Sequence, residues 1–178
     1  MKSSHSQYGS VAVTLHWLSA LLIIALMISG SRAADTIDPA TKAELLSLHA
    51  PVGITVLVLT LLRLFWWWRV DVKPAPNQND PRWQTRIASG VHVLFYIVIV
   101  GMAASGIGML VLSGAGAILF GGAEGTLPDF MLYPPRIPHG IGAKLMMVLF
   151  VLHAGAAVFH HFVKRDGILK RMWFTTRR

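Results

Sequence analysis

Long apolar runs alternate with short polar interruptions along this chain. Four runs, over 11–30, 49–68, 87–112 and 139–163, are long enough to cross a bilayer, since a spanning helix takes about 20 apolar residues. They predict an all-α protein: a four-helix integral membrane bundle, one domain over residues 1–178. The interruption "KPAPNQNDP" carries the Pro and Asn chemistry that joins helices. The longer "LSGAGAILFGGAEGTLPDFMLYPPRIP" begins on glycine turns and ends on prolines. It predicts an extended connection with room for a short interfacial segment.

Composition agrees. The chain is 54% hydrophobic and 13% charged, outside the range of soluble domains. Its formal charge of +8 is a topology signal rather than a nucleic-acid footprint. The connection after the first run (Arg32, Lys42, Asp35, Asp38, Glu44) is net negative, as is the one after the third (Glu124, Asp129, Arg136). The connection between the second and third runs is net positive, with Arg69, Lys73, Arg82 and Arg86 against Asp71 and Asp80. The tail is strongly basic, with Lys164, Arg165, Lys170, Arg171, Arg177 and Arg178 against Asp166. The positive-inside rule then puts both termini and the middle connection in the cytoplasm, beside anionic lipid headgroups. Trp17, Trp66, Trp67, Trp68, Trp83 and Trp173 all fall near those cytoplasmic ends, as interfacial anchors do. Lys2 and "SRA" give the first run a likeness to a signal peptide. Its apolar core is longer than the usual h-region of about 7–15 residues, which favours a retained span.

Histidine inside such runs is costly and marks function by default. His139 and His153 stand fourteen residues apart and His160 a further seven, so all three return to nearly one helix face, with about 21 Å between the first two. Topology then predicts two pairs: His49 with His139 at the outer depth, and His16 with His153 at the inner depth. His92, in the inner part of the third run, competes for the inner pair. Cysteine is absent, which excludes iron–sulfur clusters, thiolate zinc and covalent c-type haem. No carboxylate lies in any run to complete a zinc set, whose ligands number three or four. Two imidazoles on opposing helices suit haem iron, with both axial positions filled for electron transfer.

Small side chains follow the proposed ligands by one turn: Ser19 and Ala20 after His16, Gly53 after His49, Gly142 and Ala143 after His139, Ala156 and Ala157 after His153. Phe95 and Tyr96 follow His92, which weighs against it as a ligand. Small residues also serve plain helix packing. Arg63 is fourteen residues after His49. It pairs with a haem propionate or snorkels to the inner headgroups. Lys144, inside the fourth run, stands open between snorkelling outward and serving the outer site.

The stretches "TLHWLSALLI", "LHAPVGITVLVLTLLRL", "GVHVLFYIVIVGM" and "HAGAAVFHHFVKRDGILKRM" resemble the four-helix bacterial cytochrome b561 family, including its superoxide oxidase type. The resemblance covers nearly the whole chain and is weakest in the outer loops. It implies the bacterial cytoplasmic (inner) membrane and two non-covalent b haems, with His49 and His139 holding the outer one and His16 and His153 the inner one. It also implies superoxide as periplasmic donor and ubiquinone as acceptor near the inner haem. His160 is then the candidate quinone or proton-handling residue, with His92 second, since imidazole titrates near neutral pH. A headgroup-facing role is the plain alternative for His160; His161 and His5 read as surface residues. Arg136, three residues before His139, would focus anions there, although the outer connections are otherwise net negative.

Two functions follow. One is a superoxide:ubiquinone oxidoreductase. The other is a non-catalytic electron-transfer subunit linking the quinone pool to a separate dehydrogenase, reductase or hydrogenase. A structural scaffold with satisfied histidines is a distant third. The chain carries no flavin motif, so oxidation of a complex substrate would need a partner.

Overall fold

The computed structural model describes residues 2–76 and 81–174. Asp80, Arg177 and Arg178, counted above for topology, lie outside the described residues. Four long helices dominate: α1 Ser10–Asp35, α2 Pro39–Arg69, α3 Arg82–Leu112 and, after the short α4 Ala115–Phe120, α5 Arg136–Phe159. A 3-10 turn covers Phe130–Leu132, a π turn over His160–Lys164 extends α5, and α6 is Ile168–Arg171. All four long helices have the length and composition to cross a membrane.

The helices outrun the apolar runs. Hydropathy marks only the lipid-buried portion, whereas helix ends are set by capping. At α2, Asp38 accepts from the Thr41 N–H at 2.8 Å and from its hydroxyl at 2.6 Å, and Pro39 occupies the first turn, where its missing N–H costs nothing. The helix therefore begins ten residues before His49, and His49 lies well inside it rather than at its start. The connection after α3 contains the expected short segment as α4, entered through Gly114 at φ 73°, a conformation glycine adopts without penalty.

Packing is in two pairs, α1 against α2 and α3 against α5, joined where α2 meets α3. Among the described residues, α1 and α5 approach one another little along their backbones, so side chains bridge that seam. The core cluster of Val98, Met146 and Leu149 gathers Ile23 and Met27 of α1 with Leu94, Phe95, Ile99 and Met102 of α3. Met146 is seven residues from both His139 and His153, so this apolar layer sits midway between the two histidine depths. The outward faces carry large exposed apolar side chains, as lipid contact requires.

Among the described residues, the N-terminal segment, the C-terminal segment and residues 71–76 after α2 meet at one end, here the terminal end. Asp71 gathers them. It accepts from the Ser3 N–H (2.9 Å) and hydroxyl (2.8 Å), the Trp66 indole (3.2 Å) and the Val72 N–H (2.9 Å). Burial pushes the Asp71 carboxyl up, but the hydrogen bonds from Ser3, Val72 and Trp66 outweigh it and hold the pKa below the ordinary range. The Trp17 indole donates to the Met172 carbonyl at 2.7 Å, and Arg171 donates to the Ser6 and Ala75 carbonyls at 3.0 and 2.7 Å. The tryptophans thus divide their work. Trp68, Trp83 and Trp173 are exposed, whereas Trp17 and Trp66 tie this knot and Trp67 packs edge-on to Tyr8.

Candidate functional site

The histidines meet across the seam between α5 and the α1–α2 pair. Near the terminal end, His16 of α1 faces His153 of α5, ring centres 6.1 Å apart. Toward the opposite end, His49 of α2 faces His139 of α5 at 6.4 Å. Two imidazoles bound on opposite sides of one metal, at about 2 Å per metal–nitrogen bond, put their ring centres roughly 6 Å apart. Both pairs fit that separation. Among the described residues no group of three or more His, Cys, Asp or Glu side chains could hold a metal, so zinc-type sites have no ligand set. A porphyrin metal, which brings four nitrogens of its own, needs no more than each pair offers.

The surroundings of the two pairs differ. At the His49–His139 end, the Ser29 hydroxyl lies 3.0 Å from His49 Nδ1 and the Ser105 hydroxyl 3.0 Å from His139 Nδ1. The Met102 carbonyl is 3.1 Å from the same His139 nitrogen. Glycines face both rings. A Cβ on Gly30 would come within 3.0 Å of His49 Cε1, and one on Gly106 within 3.3 Å of His139 Cε1. Gly53 is more open, its nearest neighbour being Leu26 Cδ2 at 4.0 Å from an added Cβ. Sequence reasoning sought room one turn along the histidines' own helices. It missed Gly30, Gly106, Ser29 and Ser105 because they act from neighbouring helices.

At the His16–His153 end, Arg63 Nη1 donates to His16 Nδ1 at 3.4 Å. Its Nε is buried without a partner, an orphaned donor of the kind an anionic group would satisfy. His92 of α3 stands 5.5 Å from His153, ring centre to ring centre, as does Phe95. His92 is itself exposed.

Beyond this pair, His160 does not continue the α-helix but opens the π turn. Its Nδ1 contacts the Asp166 carboxylate, and its Nε2 is 3.1 Å from the Gln84 amide nitrogen. Lys164 donates to Gln84 Oε1 at 3.0 Å. That contact fixes the amide orientation: its oxygen faces Lys164 and its NH2 faces His160. His160 Nε2 is then an acceptor, and its proton lies on Nδ1 toward Asp166. Burial raises the Asp166 pKa, but hydrogen bonds from His160 and the Ile168 N–H, with the Lys164 charge nearby, hold it low overall. Asp166 follows Arg165, whose φ of 53° turns the chain back over the helix end. Gln84 and Asp166 were not singled out from sequence, since neither lies in an apolar run.

Arg136 opens α5 and lies along it, close enough that a Cβ on Gly140 would come 2.9 Å from its Nη1. Lys144 is exposed on the α5 surface.

A family model described as prokaryotic cytochrome b561 matches residues 7–175. Cytochrome b561 homolog 1 of Escherichia coli K12 is 28% identical over 94% of this chain and 97% of its own length. Cytochrome b562 of Cereibacter sphaeroides is 30% identical over 93% and 94%. A probable superoxide oxidase, CybB, of Yersinia pestis is 26% identical over 94% and 96%. No solved structure matches the chain. With four membrane-length helices and a family match over nearly its whole length, the chain belongs to the prokaryotic cytochrome b561 family of haem-binding membrane electron-transfer proteins.

Proposed function

We propose that this bacterial membrane cytochrome takes electrons from a one-electron donor, superoxide, at the His49–His139 end and delivers them to ubiquinone at the terminal end. The carrying observation is the two facing imidazole pairs at separate depths, 6.1 and 6.4 Å between ring centres. Two b haems, one per pair, would supply reversible one-electron chemistry. His49 and His139 would hold one by their ring nitrogens, and His16 and His153 the other. Arg63, whose buried Nε has no partner, would be the cation to meet a propionate, and Gly53 would leave room on α2 for a flat ring.

At the donor end Arg136 is the cation beside His139 and attracts an anionic donor. Oxidation of two superoxide ions to dioxygen releases two electrons; quinone takes up these and two protons. At the terminal end His160 is the proton-handling group. Its Nδ1 proton is held by Asp166, and its Nε2 lone pair is covered by Gln84 until a quinone oxygen replaces that amide. His92, exposed beside His153, is the second candidate for the quinone edge. The net-positive connections support a cytoplasmic side for this end and a periplasmic side for the donor end.

A second reading, a non-catalytic subunit docked to a redox protein, is favoured by the net-negative outer connections and by exposed Met131 and Leu132. One preparation separates the two. The purified chain is assayed for haem by pyridine haemochrome, then given superoxide and a ubiquinone analogue. Two b haems with superoxide-dependent quinone reduction support the oxidase. Two haems without that activity shift the assignment to the partner subunit. No haem from haem-replete cells removes the ligand assignment.

A further inference from the structure

The same dipeptide recurs at both histidines of one pair: Ser29–Gly30 of α1 against His49, and Ser105–Gly106 of α3 against His139. In each case the hydroxyl stands 3.0 Å from Nδ1. In each case the glycine is where a Cβ would press on Cε1, the carbon between the two ring nitrogens. The serine grips one nitrogen while the glycine lets that ring edge lie against the helix. Nε2 is left as the nitrogen available to a metal.

Proton positions follow from the acceptors. The Met102 carbonyl can only accept, so His139 carries its proton on Nδ1. Ser105 spends its own proton on the Gly101 and Met102 carbonyls, at 2.8 and 3.0 Å, and is free to accept. With Nε2 of His49 given to a metal its proton would lie on Nδ1, and Ser29 could accept it, its own proton being within reach of the Leu26 carbonyl at 3.4 Å. The other pair lacks this support. His16 Nδ1 faces a guanidinium, which can only donate, and among the described residues no serine hydrogen-bonds to His16 or His153.

We propose that Ser29 and Ser105 are positioning residues: as acceptors of the Nδ1 protons they fix ring orientation and raise ligand basicity at the His49–His139 site alone. The proposal rests on the haem reading above. A more basic ligand favours the oxidised, more positive iron, so losing both hydroxyls favours the reduced form at that site. Outer hydrogen bonds of this kind are typically worth 10–100-fold in metal affinity. At the lower bound, a tenfold bias between oxidation states moves a one-electron midpoint by about 59 mV.

The test is a spectroscopic redox titration of the full chain purified with its haem. Four proteins are compared: wild type, Ser29→Ala/Ser105→Ala, Ser29→Thr/Ser105→Thr, and Thr60→Ala. Thr60 is a buried hydroxyl bonded to the Val56 carbonyl of its own helix. In the double alanine variant, one of two components should rise by about one tenfold step and the other stay put. The threonine variant should restore the first, and Thr60→Ala should leave both unchanged. Selective loss of one haem in the alanine variant, with the threonine variant keeping two, also supports the proposal. Two retained haems with unmoved midpoints would overturn it. If the double variant does not fold, each single alanine variant is titrated against the same expectation. Absence of haem from the wild type would instead remove the reading on which the proposal rests.

Discussion

The imidazole pairs make separable demands on single residues. Under the proposed function, His49→Ala or His139→Ala should lower haem content toward half and weaken or shift one spectral component, and His16→Ala or His153→Ala the other, because each variant leaves one axial imidazole where two are proposed. Pyridine haemochrome with a reduced-minus-oxidised spectrum checks this. The glycines make a graded prediction. A Cβ at Gly30 would sit 3.0 Å from His49 Cε1, and at Gly106 3.3 Å from His139 Cε1. Both substitutions therefore ask the facing ring to give by a few tenths of an ångström, Gly30→Ala the more. Overpacking of this kind costs about 1–3 kcal/mol. Gly30→Ala should lie toward the upper part of that range and Gly106→Ala below it, read as thermal unfolding midpoints in detergent.

At the scale of elements, the α2–α3 connection and the N-terminal segment depend on one carboxylate. Asp71 has a depressed pKa in the folded protein, so its contribution is fully present above the unfolded value of about 3.9 and is lost as pH falls through the lower folded value. Hydrogen-exchange protection factors at Ser3 and Val72, taken against the intrinsic rate at each pH, should fall below about pH 4, and Asp71→Asn should lower them already at neutral pH. Exchange insensitive to both changes would mean that Asp71 does not hold the segment.

The elements also show what the sequence could reveal. Four apolar runs were legible because lipid demands about 20 apolar residues per span. The start of α2 was not, because residues 39–48 are held helical by the Asp38 cap and Pro39 rather than by hydropathy. That His16 lies near His153 and His49 near His139 was legible from spacing and depth, while spacing left His92 competing for the inner place, and it stands 5.5 Å from His153. Ser29 and Ser105 were not, because a serine in a membrane helix ordinarily bonds back to its own carbonyls and nothing in the local sequence signals a partner on another helix. His160 was singled out, but its partners Gln84 and Asp166 come from a connection and a reversed turn that no periodicity describes.

Across the whole molecule, α1 with α2 and α3 with α5 form two halves whose histidines face across a lightly packed seam. Ligand bound only by the folded form adds stability by mass action, about 2.7 kcal/mol at a hundredfold excess over Kd. Haem-depleted chain should therefore unfold at a lower temperature than the loaded protein, with hydrogen-exchange protection falling first along the facing sides of α1 and α5. Equal melting and exchange of the two forms would show that haem does not clamp the halves.

Between the two histidine depths lie Val98, Met146 and Leu149, packed with Ile23 and Met27. These side chains offer no hydroxyl, carboxylate or imidazole on which a proton could travel. Under the proposed function, an electron moving between the pairs crosses this layer with no ion beside it. Turnover would then be electrogenic, and each crossing would work with or against the membrane voltage by about 2.3 kcal/mol per 100 mV over the full bilayer.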